Sequence, residues 1–239
     1  VDNVASGSSS GSGGGAYATN NPNVTLNDVG FSGNRADGSS SAQGGGFFLS
    51  ACPSASLTDV SFVDNVASAY SAAGAGAYWN NVASGTLSNV TFLRNSAYAS
   101  GGSGSSSAYG GGIYLGGTSD VQVRHGSFRQ NFTSGIYAGL NTTLNVSNSV
   151  MYNNALDDIV AWGSTTVTNT CSEQDLTSYD TSNTNIGINP FVAAASGELF
   201  LDQTSACVDT GDAGVADEVY GTGAWQAMTT SADAGTDTP

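Results

Sequence analysis

The sequence predicts an all-β protein, a parallel β-helix (solenoid) with Gly/Ser-rich loop insertions. Three observations predict it. A word of the form Phe-x-x-Asn recurs at Phe31–Asn34, Phe62–Asn65, Phe92–Asn95 and Phe128–Asn131, with a degenerate copy at Met151–Asn154. A Gly-rich word ending in an aromatic residue precedes each of them, at Gly13–Tyr17, Gly44–Phe48, Gly74–Tyr78, Gly110–Tyr114 and, shortened, Gly135–Tyr137. Between the two words lies a run of alternating apolar and polar residues, and no stretch carries the 3.6-residue period of a helix.

In chain order, Val1–Ser6 recurs word for word at Val63–Ser68, where it closes a repeat. The chain is therefore expected to open inside a repeat and to be a piece of something longer. Val24–Val29, Ser56–Val60, Thr86–Val90, Val121–Val123 and Leu144–Val146 alternate and read as strands. The closing asparagines Asn3, Asn34, Asn65, Asn95, Asn131 and Asn154 are spaced 31, 31, 30, 36 and 23 residues apart. The shortest interval reads as the bare repeat, two or three short strands joined by polar turns. The longer ones add Gly, Ser and Ala at Ser6–Gly13, Asp37–Gly44, Ser68–Gly74 and Tyr98–Gly110. Such tracts bury little apolar area and read as loop insertions.

No single repeat buries its own apolar face, so repeats are expected to stack about 4.8 Å apart, each strand bonded to the same strand one repeat on. In that stack Asn34, Asn65, Asn95 and Asn131 form an amide ladder, with Phe31, Phe62, Phe92 and Phe128 stacked inside. Asp158–Trp162 and Thr165–Thr168 read as one further coil. The coils are assigned to 1–204, and 205–239 to an acidic closing segment, itself expected to be truncated.

Composition narrows the function classes. The chain has 239 residues, only 10% of them charged, against about 25% in an average protein. There is no Lys, the basic residues are Arg35, Arg94, Arg124 and Arg129, and the net charge is −15. Displacing the counterions of a polyphosphate needs Lys or Arg, so nucleic acid is excluded as a partner, and an anionic membrane surface for the same reason. No run approaches 18 apolar residues, so this segment inserts no helix into a membrane. The charge is uneven, −2 over residues 1–154 and −13 over 155–239, which reads as a solvated acidic surface at the C-terminal end.

The Gly-Gly-x-aromatic and Phe-x-x-Asn words together resemble the repeat of the chlamydial polymorphic outer membrane proteins and related secreted β-helix proteins. The resemblance covers residues 1–155 and implies the right-handed, pectin-lyase-like parallel β-helix and an extracellular or cell-surface location. Asn189-Pro-Phe191, Gly197–Leu201 and Ser205–Asp212 resemble the last coil of many secreted bacterial β-helix proteins. Cys52, Cys171 and Cys207 make an odd count. In a secreted chain a Cys171–Cys207 disulfide would staple the last coil, leaving Cys52 as a lone thiol at the core edge. Sequons occur at Asn23, Asn89, Asn131, Asn141 and Asn145, no more than chance supplies.

The resemblance also brings polysaccharide lyases and hydrolases into view. Lyases of this fold need a base, commonly Lys or Arg, and groups that neutralise a uronate carboxylate. The one cationic cluster is Arg124, His125 and Arg129, which with Asp120 would set a base and a carboxylate clamp on one coil. Against that, a turn-exposed His125 and solvated Arg124 and Arg129 are the expectation. Asp157 and Asp158 are the one tandem aspartate pair, and neighbouring strand residues face opposite ways. The Gly-His-Gly and Arg-x-Lys words of polygalacturonases are absent. Oxygen ligands at Asp209, Asp212, Asp217 and Glu218 would suit calcium, although the spacing of known calcium loops is missing, so no cofactor is expected. Thr166-Val-Thr168 has no counterpart in register in the other repeats, too little for ice binding. Three classes remain. The first is a non-catalytic structural or adhesive module, partnered by the rest of a longer chain or other surface proteins. The second is a carbohydrate-active enzyme. The third is a carbohydrate-binding solenoid with Tyr17, Tyr78, Trp79 and Tyr114 as sugar platforms.

Overall fold

In the computed structural model, residues 2–100, 107–179 and 183–185 are described. All regular structure among them is β. The first repeat contributes β1 (Val4–Gly7), β2 (Ser10–Ser12), β3 (Ala16–Thr19) and β4 (Asn23–Ser32). The second contributes β5 (Arg35–Gly38), β6 (Ser41–Gln43), β7 (Phe47–Ser50) and β8 (Ser54–Val63), and the third β9 (Val66–Ala69), β10 (Ser71–Ala73), β11 (Ala77–Asn80) and β12 (Ser84–Leu93). The fourth holds β13 (Ser96–Ala99), β14 (Ser107–Tyr109), β15 (Ile113–Gly116) and β16 (Asp120–Arg129). Shorter elements follow: β17 (Ile136–Ala138), β18 (Thr143–Ser147), β19 (Val150–Tyr152), β20 (Ile159–Ala161), β21 (Ser164–Thr168), β22 (Cys171–Ser172) and β23 (Thr184–Asn185).

Every pairing between these strands is parallel and joins equivalent strands of successive repeats. Two wide sheets form the main walls, β3-β7-β11-β15-β17-β20 and the sheet running from β4 through β8, β12 and β16 to β23. Register fixes what stacks on what. Leu26, Leu57, Leu87, Val123, Val146 and Val167 share one row, and Phe31, Phe62, Phe92 and Phe128 share another, continued by Met151. Opposite them lie Ala16, Phe47, Ala77, Ile113 and Ile136, and Ala18, Leu49, Trp79, Leu115 and Ala138. These rows make one continuous apolar core. Sizes compensate across it: Trp79 is fully buried, and a Cβ on Gly85 would meet its ring at 2.6 Å.

The Gly/Ser/Ala tracts depart from the loop expectation. The described part of each carries two strands, so a full repeat has four strands and not two or three. The tracts stack into two narrow sheets, β1-β5-β9-β13 and β14-β10-β6-β2. Between these sheets Ala36, Ala42, Ala67, Ala69, Ala72, Ala75 and Ala97 pack into a second, separate core, with Ala108 against it. Composition misleads here because alanine carries little apolar area per residue. Stacking repeats that area at every level, and the ladder hydrogen bonds satisfy the backbone that a loop would leave to water.

The turns between strands are set by left-handed residues in columns. Gly13, Gly44, Gly74 and Gly110 have φ between 57° and 68°, a conformation that costs Gly nothing. The third Gly of the same word has a different reason. A Cβ on Gly76 would lie 2.8 Å from Phe92 Cδ1 and 3.2 Å from Asn95 Cγ, and one on Gly46 would crowd Phe62 and Asn65 equally. The Gly word thus clears the space into which the Phe and Asn columns project.

Candidate functional site

The polar centre of the molecule is the asparagine column. Asn34 Nδ2 donates to Asn65 Oδ1 at 2.9 Å, Asn65 to Asn95 at 2.9 Å, Asn95 to Asn131 at 3.0 Å and Asn131 to Asn154 at 2.9 Å. The second amide proton of Asn65, Asn95, Asn131 and Asn154 goes to the carbonyl of Phe31, Phe62, Phe92 and Phe128 in turn. Each Oδ1 also accepts the backbone N–H of the preceding Asn. An interior amide therefore donates twice and accepts twice, its whole capacity. Asn3 joins the column through Asn34 Oδ1 at 3.0 Å. The rings Phe31, Phe62, Phe92 and Phe128 stack beside it with centroids 4.6 to 4.9 Å apart.

The amide-to-amide bonds all run in the same direction, and that direction ends at Asp158. Its Oδ1 accepts Asn154 Nδ2 at 2.7 Å. Its Oδ2 accepts Ser172 Oγ at 2.6 Å and the backbone N–H groups of Glu173 and Gln174 at 3.0 and 3.2 Å. A carboxylate is a stronger acceptor than an amide, and aligned amides polarise one another toward it. The sequence shows Asp158 as half of a tandem acidic pair, which hides this role. Asp157 is exposed while Asp158 is buried, so the two carboxylates are not a catalytic pair on one surface.

The cluster expected to hold catalysis lies along β16, but its members meet different surroundings. His125 is buried, not turn-exposed. It belongs to a second column of left-handed residues, Asp28, Asp59, Asn89, His125, Asn148 and Asn169, with φ from 47° to 55°. Asp, Asn and His are the non-glycine residues enriched in that conformation. The column bends the strand between its two halves, and its side chains touch each other: His125 Nε2 lies 3.4 Å from Asn148 Nδ2, and Asn89 Nδ2 donates to Asp59 Oδ1. Arg129 is likewise buried and not solvated. Burial lowers its pKa, and Arg94 lowers it further. Arg124 is half-buried and donates to Gln122 Oε1 at 3.3 Å, and Asp120 is exposed at the start of the strand. Arg94 makes a two-pronged pair with Asp64 of the repeat before, both bonds 2.8 Å, which raises the Arg94 pKa.

The aromatic candidates form a third column, on the outer face of the β3-β7-β11-β15-β17 wall. Tyr17, Phe48, Tyr78, Tyr114 and Tyr137 stack with centroids 4.7 to 5.2 Å apart and planes within 7° of parallel. Ala73 of the arch packs against Phe48 and Tyr78. Burial, and then the neighbouring Tyr114, push Tyr78 up to about 12. Burial, with Tyr137 and Tyr109 behind it, raises Tyr114. Three of the four proposed platforms fail on geometry. Trp79 points the other way and is core. Tyr78 is buried, and both ring faces of Tyr78 and of Tyr114 are covered by ring neighbours. A sugar platform needs a bare ring face, and a mid-column ring offers only its edge. Tyr17 is 57% exposed and stacks on Phe48.

Cys52 is a buried free thiol within the main core. Cys171 is disulfide-bonded. Cys207 and the calcium candidates Asp209, Asp212, Asp217 and Glu218 lie outside the described residues, as does the 205–239 closing segment. Among the described residues no group of three or more His, Cys, Asp or Glu side chains gathers where a metal could be held. In comparisons with known proteins, no family model, curated protein or solved structure matches the chain.

Proposed function

We propose that the chain is a non-catalytic structural or adhesive module of an extracellular or cell-surface protein, folded as a right-handed parallel β-helix of the pectin-lyase-like kind. One observation carries this reading: the residues with chemical potential are spent on unbroken columns along the stacking direction. The buried amides are saturated by each other, His125 serves a strand bend, Arg94 pairs with Asp64, and Asp158 terminates the amide column. A catalytic site needs a nucleophile or base within reach of a substrate and an acid near it. Here the buried groups hold neighbouring repeats together. A stack of this kind makes a stiff rod whose outer surface meets other parts of a longer chain or other surface proteins. The repeat words resembling those of the polymorphic outer membrane proteins support the same assignment.

The test is a panel of acidic and neutral polysaccharides. Neither product release nor retention is expected. Turnover that falls roughly a hundredfold or more in Arg124→Ala and His125→Asn, the loss typical of an acid-base group, overturns the reading in favour of an enzyme. Asn at 125 keeps the left-handed bend, so such a loss is not a folding defect. Retention without product overturns it in favour of a lectin. Surface labelling of intact producing cells tests the location.

A further inference from the structure

The five sequons are equivalent as sequence and unequal as structure. Transfer of a glycan requires the acceptor amide to be exposed on a backbone that can bend until the hydroxyl two residues on approaches it. In an extended strand those two residues stand about 6.6 Å apart, beyond the reach of a hydrogen bond. Asn23 and Thr25 are held in this way in β4, where Asn23 pairs with Ser54 and Thr25 with Ser56. Asn145 and Ser147 are held from both sides, by β16 and β21. Asn89 sits within β12 and its amide donates to Asp59. Asn131 is buried with all its amide hydrogen bonds made inside the column.

Asn141 is different. It is exposed at the turn between β17 and β18, where the chain reverses over Gly139–Thr142 with Thr142 N and Oγ1 both donating to Gly139 O, at 3.2 and 2.7 Å. Its sequon hydroxyl belongs to Thr143, exposed at the first position of β18, where it pairs with Asp120 and Ser164, so the freedom to bend lies in Asn141 and Thr142 ahead of the strand. Leu140, its neighbour in the turn, is 75% exposed as well.

We propose that Asn141 is the N-glycan acceptor of this protein. The proposal rests on the extracellular reading above. The ligand is an oligosaccharide delivered as its polyprenyl diphosphate by a membrane oligosaccharyltransferase. A bond forms between Asn141 Nδ2 and sugar C1, the C1–O bond to the diphosphate breaks, the polyprenyl diphosphate leaves, and the amide gives one proton to a base of the transferase.

The experiment secretes the full chain behind a signal sequence from a glycosylating cell line and maps site occupancy on the folded product. Asn141 carries the highest occupancy of the five sequons, and both Asn141→Gln and Thr143→Ala lose the mass of that glycan. Absence of any glycan, or occupancy at Asn23, Asn89, Asn131 or Asn145 equal to or above that of Asn141, overturns the proposal. The signal sequence imposes secretion, so this result is independent of where the native protein resides, which surface labelling decides separately.

Discussion

The main walls and the arches are built from the same stacking rule with opposite materials. Between the walls lie Phe62, Phe92, Leu57, Leu87, Trp79 and Leu115, all fully buried. Within the arch lie Ala36, Ala67, Ala72 and Ala97, equally buried. The walls gain stability from area per side chain, roughly 1.5–3 kcal/mol for each large residue removed from water. The arch gains little per residue and depends on close backbone approach: a Cβ on Gly11 would collide with the carbonyls of Asp37 and Ala5. The comparison teaches that a low-hydrophobicity segment becomes ordered when its partner is another copy of itself one repeat away.

The largest expected effect is a cut through the amide column. Asn95→Ala orphans Asn65 N, Asn65 Nδ2 and the Phe62 carbonyl in a buried setting. At about 1–3 kcal/mol per orphaned buried group, the variant should lose on the order of 4 kcal/mol, read as a lowered urea midpoint. An Asn95→Ala protein as stable as the parent would mean that the column is incidental to the walls. Next is Asp158→Ala, which removes the acceptor of Asn154 Nδ2 and Ser172 Oγ and leaves Glu173 N and Gln174 N with only their second partners, Met151 O and Ser172 Oγ. A loss of about 3 kcal/mol is expected, with hydrogen exchange accelerating first at Ser172–Gln174.

The arch should respond to size in the opposite sense from the walls. Ala67→Leu overpacks it and should cost about 1–3 kcal/mol, although the same substitution adds apolar surface. If thermal unfolding shows Ala67→Leu to be stabilising, the arch interior is loose, and the contrast drawn here fails. The outer aromatic column gives a pH-dependent prediction. Tyr78 ionises near the ordinary phenol value of 10 when unfolded and at about 12 when folded. The protonated phenol is therefore favoured by folding. Its contribution is complete below pH 10 and disappears as the pH rises through 12. Tyr78→Phe should flatten that alkaline loss, and spectrophotometric titration at the tyrosinate band should show one fewer late-titrating group. The smallest effect is at Arg94→Ala. The pair with Asp64 is exposed, so the change should stay within about 1 kcal/mol and vanish in high salt.

Much of the wall was legible in the sequence. Alternation in Leu57–Val60 and Leu87–Val90 marks an inward face, and the recurrence of Phe-x-x-Asn marks what lies above what, because parallel in-register pairing turns sequence period into spatial column. The candidate site was less legible. Asp158 reads as surface charge until Asn154, four residues earlier, is known to point at it. His125 reads as a possible base until its φ of 54° places it among Asp59, Asn89 and Asn148. A signal was available there, since His125 occupies the same offset before Phe128 that Asp59 and Asn89 occupy before Phe62 and Phe92.

By itself, then, the sequence determined the repeat period, the all-β character and the identities that share the Phe and Asn columns, because those depend on spacing and on side chains large or polar enough to leave a pattern. The tertiary structure alone decided that the Gly/Ser/Ala tracts pair as arches, that Trp79 faces the core while Tyr78 faces outward into a ring stack, and that Arg129 and Asp158 are buried. Small side chains carry almost no local preference, and the burial of a charged one is set by what packs against it from other strands.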